Sequence, residues 1–285
     1  SDKSKGGVTY HEGDITKGLE SSTDQHISTY TTSFAAHALL EPYNAVVGKI
    51  KDTWHVISGQ QSNSFTGWGL TPQIAALTGV KDEEVKLVVH QRLAGGGYGS
   101  RGDDATRLAL HASIELKKPV KLIYTRNAMM KGTEPRTATY QKLTAGLSKD
   151  GTLDTMHIEL CAGSMLKRPE WGIPEDWFQK DIENKDIKID KWTVDGGDHW
   201  YSIKNRKYTI YENTKLSSVI PVTALRSISN GYMVFTVESF IDEIAHKLNK
   251  DPVDFRLSML NNDNNKITTE LPHISNNLLQ GGKKS

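Results

Sequence analysis

Residues 95–101 read Gly-Gly-Gly-Tyr-Gly-Ser-Arg and stand between an apolar segment and a helical pattern. Glycine has no side chain to shield the backbone, so such a loop can approach a ligand closely and direct amide N–H groups at an anion. Gly97, Gly99 and Gly102 also satisfy the GxGxxG spacing of dinucleotide-binding loops. The loop therefore predicts anion or cofactor binding, with a purely structural tight turn as the plainer alternative.

Two features count against a dinucleotide at this loop. The next predicted strand ends in Tyr124-Thr125-Arg126 and lacks the acidic residue that a ribose requires. The chain then continues with a hairpin pattern instead of further β–α repeats. A nicotinamide-dinucleotide-binding domain remains an alternative interpretation.

His157, Glu159 and Cys161 alternate along one apolar segment and share a face, which superficially resembles a metal-ligand set. Met156, Ile158 and Leu160 occupy the opposite face, as expected of a strand whose polar side meets solvent or a partner. We therefore predict no metal site in this chain. Neither a Gly-x-Ser-x-Gly elbow nor a P-loop occurs.

Composition limits the remaining possibilities. The 35 Lys and Arg residues nearly balance the 34 Asp and Glu residues, so a net charge of +1 gives no support to nucleic-acid binding. Cys161 is the single cysteine, which excludes an internal disulfide and an iron–sulfur cluster held by this chain alone. No apolar run approaches the roughly 20 residues of a membrane span. The N-terminal segment lacks the apolar region of a signal peptide, and both cytoplasm and periplasm stay open.

The elements that position the glycine loop follow from periodicity. Apolar residues at 85–90 predict a strand before the loop, and the stripe over 103–117 predicts a helix after it. Further predicted elements are helices near 71–78 and 232–248, a short helix from 252 to 260, half-buried strands at 27–31 and 45–50, a strand at 120–124, and a hairpin pairing 140–147 with 153–161. Together they predict an α+β fold: a two-layer domain with a mixed sheet and helices.

The predicted organisation has three parts. Residues 1–24 are polar and read as a leading linker, residues 25–262 as one domain, and residues 263–285 as a polar tail. An irregular insertion at 163–207 carries four of the six tryptophans, at positions 171, 177, 192 and 200. We interpret these tryptophans as anchors that pack the insertion onto the domain.

Six segments in one order carry a resemblance to a known family. They are His37-Ala38-Leu39-Leu40-Glu41-Pro42-Tyr43-Asn44, Ser58-Gly59-Gln60-Gln61, residues 94–101, residues 118–126, Leu225-Arg226-Ser227, and residues 238–245 leading into 251–256. Across residues 12–260 the chain resembles the molybdopterin-binding subunit of the xanthine dehydrogenase and aldehyde oxidase family of molybdenum hydroxylases. Its nearest branch there is that of isoquinoline 1-oxidoreductase beta-subunits and bacterial aldehyde dehydrogenase large subunits.

The resemblance implies a fold like the first molybdopterin-binding domain of that family. It also implies a molybdenum-dependent hydroxylation of an aldehyde or N-heterocycle, with oxygen derived from water. The implied partners are a second molybdopterin-binding domain or chain and an iron–sulfur small subunit that receives the electrons, which suits a chain with one cysteine.

The resemblance also implies which residues bind the molybdenum cofactor. Gln61 matches the glutamine that reaches the apical oxo ligand, with Gln60 as the alternative, and Tyr98 replaces the usual phenylalanine. The complete implied set is Gln61, Gly96, Gly97, Tyr98, Gly99, Ser100, Arg101 and Arg226. Arg101 would add a positive charge towards phosphate or substrate, and Arg226 would point at the pocket or the pterin.

One departure concerns catalysis. The family's general base is a glutamate in a glycine-rich segment of the second molybdopterin-binding domain, and no Gly-x-Gly-Glu string occurs in these 285 residues. We therefore expect no catalytic residue and no metal ligand here, and an isolated chain that carries no molybdenum and hydroxylates nothing. The alternative from a different class is a non-catalytic remnant or interaction module of the same fold.

Overall fold

The computed structural model describes residues 6–100, 104–167, 173–197 and 201–260. Their elements, in chain order, are β1 (Gly7–Glu12), α1 (Ile15–Ser21), β2 (Asp24–Thr32), β3 (Asn44–Ile50), β4 (Thr53–Ser58), α2 (Asn63–Thr78), β5 (Leu87–Gln91), α3 (Asp104–Leu116), β6 (Val120–Ile123), α4 (Arg126–Gly132), β7 (Thr139–Leu147), β8 (Leu153–Ala162), β9 (Phe178–Lys180), β10 (Lys188–Asp190), α5 (Lys191–Val194), β11 (Asn205–Glu212), α6 (Thr214–Val219), α7 (Asn230–Lys247) and α8 (Pro252–Leu260). Within the described ranges, no helix combines the length and apolar composition that crossing a membrane would need.

The chain forms two compact units. The first comprises Ser1–Ser33, Thr137–Ile220 and Ser227–Ser285, and the second comprises Phe34–Arg136 and Pro221–Arg226. Each unit has its own sheet and its own apolar core. The predicted α+β class with mixed sheets and helices is confirmed, while the predicted boundaries of the linker, domain and tail stay a prediction.

The first unit is built on a five-stranded sheet with the order β1-β11-β8-β7-β2. Strands β11 and β8 are parallel and the other neighbours are antiparallel, so the sheet is mixed. The predicted hairpin of β7 and β8 is confirmed. Helix α7 buries Phe240, Ile241 and Ile244 in the same core as Leu143 and Ile158, because its apolar residues recur at helical spacing.

The leading segment contributes structure that its composition did not predict. Strand β1 pairs antiparallel with β11, and its Val8 is buried. The Val8 amide donates to the buried Asp181 carboxylate over 2.9 Å. Gly18 of α1 packs so closely on Thr155 that a Cβ would lie 2.2 Å from the threonine hydroxyl. Pairing with distant parts of the chain orders this segment. The prediction of a linker used only local composition, which does not report such long-range pairing.

The buried Asp190 carboxylate organises part of the insertion at 163–207. Asp190 Oδ2 accepts from the Ser164 hydroxyl and from the amides of Met165 and Leu166, at 2.6–2.8 Å. The indoles of Trp177 and Trp192 lie against each other with ring centroids 5.4 Å apart. Both rings belong to the insertion, so its predicted packing onto the domain stays a prediction. Trp171 and Trp200 lie outside the described residues.

The second unit is built on a four-stranded sheet with the order β5-β4-β3-β6. Strands β4 and β5 are parallel, and β3 is antiparallel to both β4 and β6. The β5–loop–α3–β6 connection therefore joins the two opposite edges of the sheet. A dinucleotide-binding unit instead joins neighbouring parallel strands through such a loop.

Helix α2 is longer than the predicted helix at 71–78. It starts at Asn63 and contains Pro72 in its interior, where a proline removes one backbone hydrogen bond. Leu70 and Ile74 on either side of Pro72 are almost fully buried in the core of the unit. This burial outweighs the local cost of the proline, which explains why the sequence pattern placed the helix start too late.

Candidate functional site

The glycine loop has an unusual backbone. Gly96 and Gly99 adopt φ angles of 87° and 98°, and Tyr98 between them adopts 54°. A left-handed φ at a bulky residue is strained and persists only where the surroundings enforce it, often at functional sites. At Gly99 a Cβ would also lie 2.6 Å from the Ala224 carbonyl oxygen. The loop thus requires glycine at position 99 on two independent grounds.

Gln61 lies against this loop. Its Oε1 atom accepts the Gly99 amide proton over 3.0 Å. A Cβ on Gly97 would lie 2.4 Å from the same oxygen, so the missing side chain leaves the space that Gln61 occupies. Gln60, the alternative residue, is 3% exposed and donates from Nε2 to the Ser58 hydroxyl. The structure therefore brings Gln61 to the loop and directs Gln60 inward.

Glu41 fixes the first glycine of the loop. Its Oε2 atom accepts the Gly95 amide proton over 2.7 Å, and its own amide donates to the Gly95 carbonyl over 3.1 Å. Its Oε1 atom accepts from the Asn44 side chain over 2.9 Å. Glu41 lies in one of the six motifs, but its role could not be predicted because only the fold closes its 54-residue separation from Gly95.

The segment around Glu41 is itself held by strand β6 and helix α4. The Tyr124 amide donates to the Tyr43 carbonyl over 2.8 Å, and the two rings meet edge-on. The Arg126 guanidinium donates to the carbonyls of Leu39 and Leu40. The Tyr43 hydroxyl in turn contacts the Ser100 hydroxyl at the end of the loop. The motif at 37–44 is therefore in direct contact with two others, those at 94–101 and 118–126.

The segment at 221–226 closes the other side of the loop. The Arg226 amide donates to the Tyr98 carbonyl over 2.6 Å, while the Arg226 side chain is exposed. His37, buried beside this segment, donates from Nε2 to the Ala224 carbonyl over 2.9 Å. Burial lowers the pKa of His37, against the smaller opposing effect of that carbonyl. Burial therefore favours the neutral form of the His37 ring, which its sequence position did not signal.

Several polar atoms in and near the glycine loop have no hydrogen-bond partner within the described ranges. Among the described residues, the amide N–H groups of Gly97 and Tyr98 donate no hydrogen bond. Gln60 Oε1 and His37 Nδ1 are buried and likewise without a partner in the described part of the chain. Buried polar atoms are normally satisfied, and such exceptions mark places where a ligand or water is expected.

Two residues expected at the site, Arg101 and Gly102, fall in the gap between the described residues 100 and 104. Arg101, the predicted phosphate- or substrate-facing charge, lies outside the described residues, as does Gly102 of the GxGxxG spacing. The other residues of the implied set, from Gly96 to Ser100 together with Gln61 and Arg226, all lie in the second unit.

His157 and Glu159, two of the three alternating polar residues of β8, make polar contacts across the sheet. His157 Nε2 lies 3.0 Å from the Thr209 hydroxyl, and Glu159 accepts from Tyr211 and pairs with Lys142. Burial lowers the pKa of His157. Across the described ranges, no group of three or more His, Cys, Asp or Glu side chains is arranged to hold a metal ion.

Comparison with known proteins identifies the family. The family model for the molybdopterin cofactor-binding domain matches residues 2–167, and this chain belongs to that family.

Two individual relatives align with most of this chain. A membrane-bound aldehyde dehydrogenase [pyrroloquinoline-quinone] from Gluconacetobacter polyoxogenes is 28% identical over 91% of this chain and 32% of its own length. The isoquinoline 1-oxidoreductase subunit beta of Brevundimonas diminuta is 30% identical over 79% of this chain and 27% of its own length. The chain therefore spans about a third or less of these relatives.

The fold is shared with a solved enzyme structure. The aldehyde oxidoreductase of Desulfovibrio gigas superposes with a TM-score of 0.68 at 19% identity, over 92% of this chain and 26% of that one. The predicted resemblance to the molybdenum hydroxylase family and its molybdopterin-binding fold is confirmed.

Proposed function

We propose that this chain forms one wall of the cofactor site in a molybdenum-dependent oxidoreductase that hydroxylates an aldehyde or an N-heterocycle. The contact between Gln61 and the glycine loop is the observation that carries the proposal. When bound, molybdopterin would supply a metal that accepts two electrons while an oxygen from water enters the substrate. The residues of this chain would bind and orient that group.

The donors at the loop fit such a cofactor. The N–H groups of Gly97 and Tyr98, with no acceptor among the described residues, suit oxo or phosphate oxygens. The absence of side chains at Gly96 and Gly97 lets a large planar group approach the backbone.

The remaining predicted residues extend this binding segment. Ser100 is held by Tyr43 and ends the loop in a fixed position. Arg226 has an exposed side chain next to its bond with Tyr98, so its charge can turn towards a phosphate. Arg101, directly after Ser100, would add a second positive charge.

The proposed enzyme needs further protein. Because the chain spans about a third or less of the relatives compared here, we propose that a second molybdopterin-binding domain or chain forms the opposite wall. The electrons would pass to an iron–sulfur small subunit, since Cys161 alone cannot ligate a cluster. The catalytic base would also come from outside these 285 residues.

The test uses the complete protein that contains this chain, purified with its subunits. We expect near-stoichiometric molybdenum by mass spectrometry and turnover of an aldehyde or N-heterocycle with an artificial electron acceptor. Gln61→Ala should lower kcat by about a hundredfold, the usual effect of losing one polar contact to a reacting centre. Gln25→Ala, on an exposed strand position of the first unit, is the matched control and should change nothing.

Two outcomes would contradict the proposal. A folded complete protein without molybdenum or turnover would favour the non-catalytic remnant. For the 285-residue chain alone we expect neither molybdenum nor turnover, and near-stoichiometric metal or aldehyde oxidation by it would refute the need for a second wall.

A further inference from the structure

Two histidines lie side by side on the sheet of the second unit. His55 on β4 and His90 on β5 stand on neighbouring parallel strands, where Ile57 is the register partner of His90. Because Trp54 and Val56 point into the core, His55 faces the opposite side of the sheet. The Nδ1 atom of His55 lies 2.9 Å from the Nε2 atom of His90, and the rings are nearly parallel at 19°.

We propose that His55 and His90 form a binding site for a divalent transition metal ion such as Zn²⁺ or Cu²⁺. Neutral imidazole is a preferred ligand of both ions. The two facing nitrogens can hold only one proton between them, so at least one already presents a lone pair. Moving that single proton to the outer nitrogen of its own ring presents both lone pairs without changing the net charge.

The separation of the two nitrogens suits this exchange. Zinc–nitrogen bonds of about 2.0–2.1 Å at a tetrahedral angle place two ligand nitrogens about 3.3 Å apart. The observed 2.9 Å therefore needs to open by about 0.4 Å, which small rotations of two half-buried side chains provide.

The site has two protein ligands and is open to solvent. No third His, Cys, Asp or Glu joins the pair among the described residues, so water would complete the coordination. Val88, the register partner of His55, is 41% exposed, which leaves a path for an ion from solvent. Val88 and Ile57, the register partners of the two histidines, would limit hydration of the bound ion on the side of the sheet.

A bound ion would cross-link the two strands that lead into the candidate site. Strand β4 ends at Ser58, three residues before Gln61, and β5 ends at Gln91 before the glycine loop. Ser58 and Gln91 form the last register pair of the two strands. The metal site would therefore restrain both sides of the Gln61–Gly99 contact, while its existence does not depend on the proposed function.

The test is metal titration of the 285-residue chain after chelator treatment. We expect one Cu²⁺ equivalent whose electron paramagnetic resonance spectrum reports two imidazole nitrogens, and one Zn²⁺ equivalent by calorimetry. His55→Gln and His90→Gln should each weaken binding by more than about tenfold, since even outer-shell partners of metal ligands are worth that much. His111→Gln, at an exposed position of α3, should bind as the unmodified chain does.

Several outcomes would overturn the proposal. One is equal affinity of the unmodified chain and a His55→Gln/His90→Gln double variant, with circular dichroism confirming the fold of both. If the variants do not fold, the Cu²⁺ spectrum of the unmodified chain decides alone, and fewer than two coordinated imidazoles would exclude the site.

Discussion

Gln61 Oε1 accepts the amide proton of Gly99 over 3.0 Å and so connects the end of β4 to the loop that follows β5. The contact depends on glycine at two positions, since a Cβ on Gly97 would meet the same oxygen at 2.4 Å. The same contact occupies the amide of Gly99, the residue that follows the aromatic Tyr98. Of the loop amides, those of Gly97 and Tyr98 have no acceptor within the described residues.

Gly99→Ala should destabilise the chain. The substitution places a Cβ 2.6 Å from the Ala224 carbonyl at a φ of +98°, and we expect a loss of about 2 kcal/mol or more in the free energy of unfolding. Gly67→Ala is the matched control, because a Cβ there meets nothing within 4 Å inside helix α2. It should stabilise by about 0.5–1 kcal/mol. Urea denaturation measures both, and effects of equal sign would contradict the required backbone geometry.

Glu41→Ala should release the start of the loop. It removes the acceptor of the Gly95 amide and of the Asn44 side chain, and we expect a cost of about 1–3 kcal/mol. Hydrogen exchange of the Gly95 amide should accelerate more than that of amides in β4. Glu83→Ala, on an exposed turn, should leave both measurements unchanged. Unaltered exchange at Gly95 in Glu41→Ala would refute the positioning role.

Asp190→Asn should unfold the insertion locally or destabilise the first unit. The carboxylate accepts from three backbone amides and the Ser164 hydroxyl, and a carboxamide would turn an NH₂ group towards some of these donors. We expect a loss of about 3 kcal/mol or more, with increased proteolysis between 163 and 207. Asp186→Asn, at an exposed position of the same insertion, is the control. Comparable proteolysis of both variants would contradict the anchor.

The unfolding free energy should fall as the pH drops below about 6.5, the ordinary pKa of histidine. Burial lowers the pKa of both His37 and His157, so the unfolded chain binds more protons than the folded chain just below that pH. Their contribution is fully present above pH 6.5 and is lost as the pH falls towards the lowered values. His37→Gln should flatten this pH dependence, whereas exposed His111→Gln should not. Denaturation at pH 5.5 and 7.5 tests the slope, and identical slopes in all three chains would refute it.

Local patterns determined much of this protein before any contact was known. The stripe of α3, the long helix α7 and the β7–β8 hairpin follow from periodicity and turn chemistry within about 20 residues of sequence. The glycine loop was predicted to bind an anion or cofactor because glycines after a strand leave the backbone amides accessible, and that role stays a prediction. The resemblance of ordered motifs added the family, which the comparison confirmed.

Tertiary structure decided what those patterns could not. Strand β1 forms because β11 pairs with it, and α2 extends past Pro72 because Leu70 and Ile74 are buried. Gln61 meets the loop because the fold brings Gly99 beside it, whereas Gln60 is buried next to Ser58. Glu41 acquires its role only when Gly95 is brought beside it. Each of these four features depends on contacts between residues distant in sequence. Such contacts stabilise the chain only after folding has closed the loops between them, so a local sequence pattern does not reveal them.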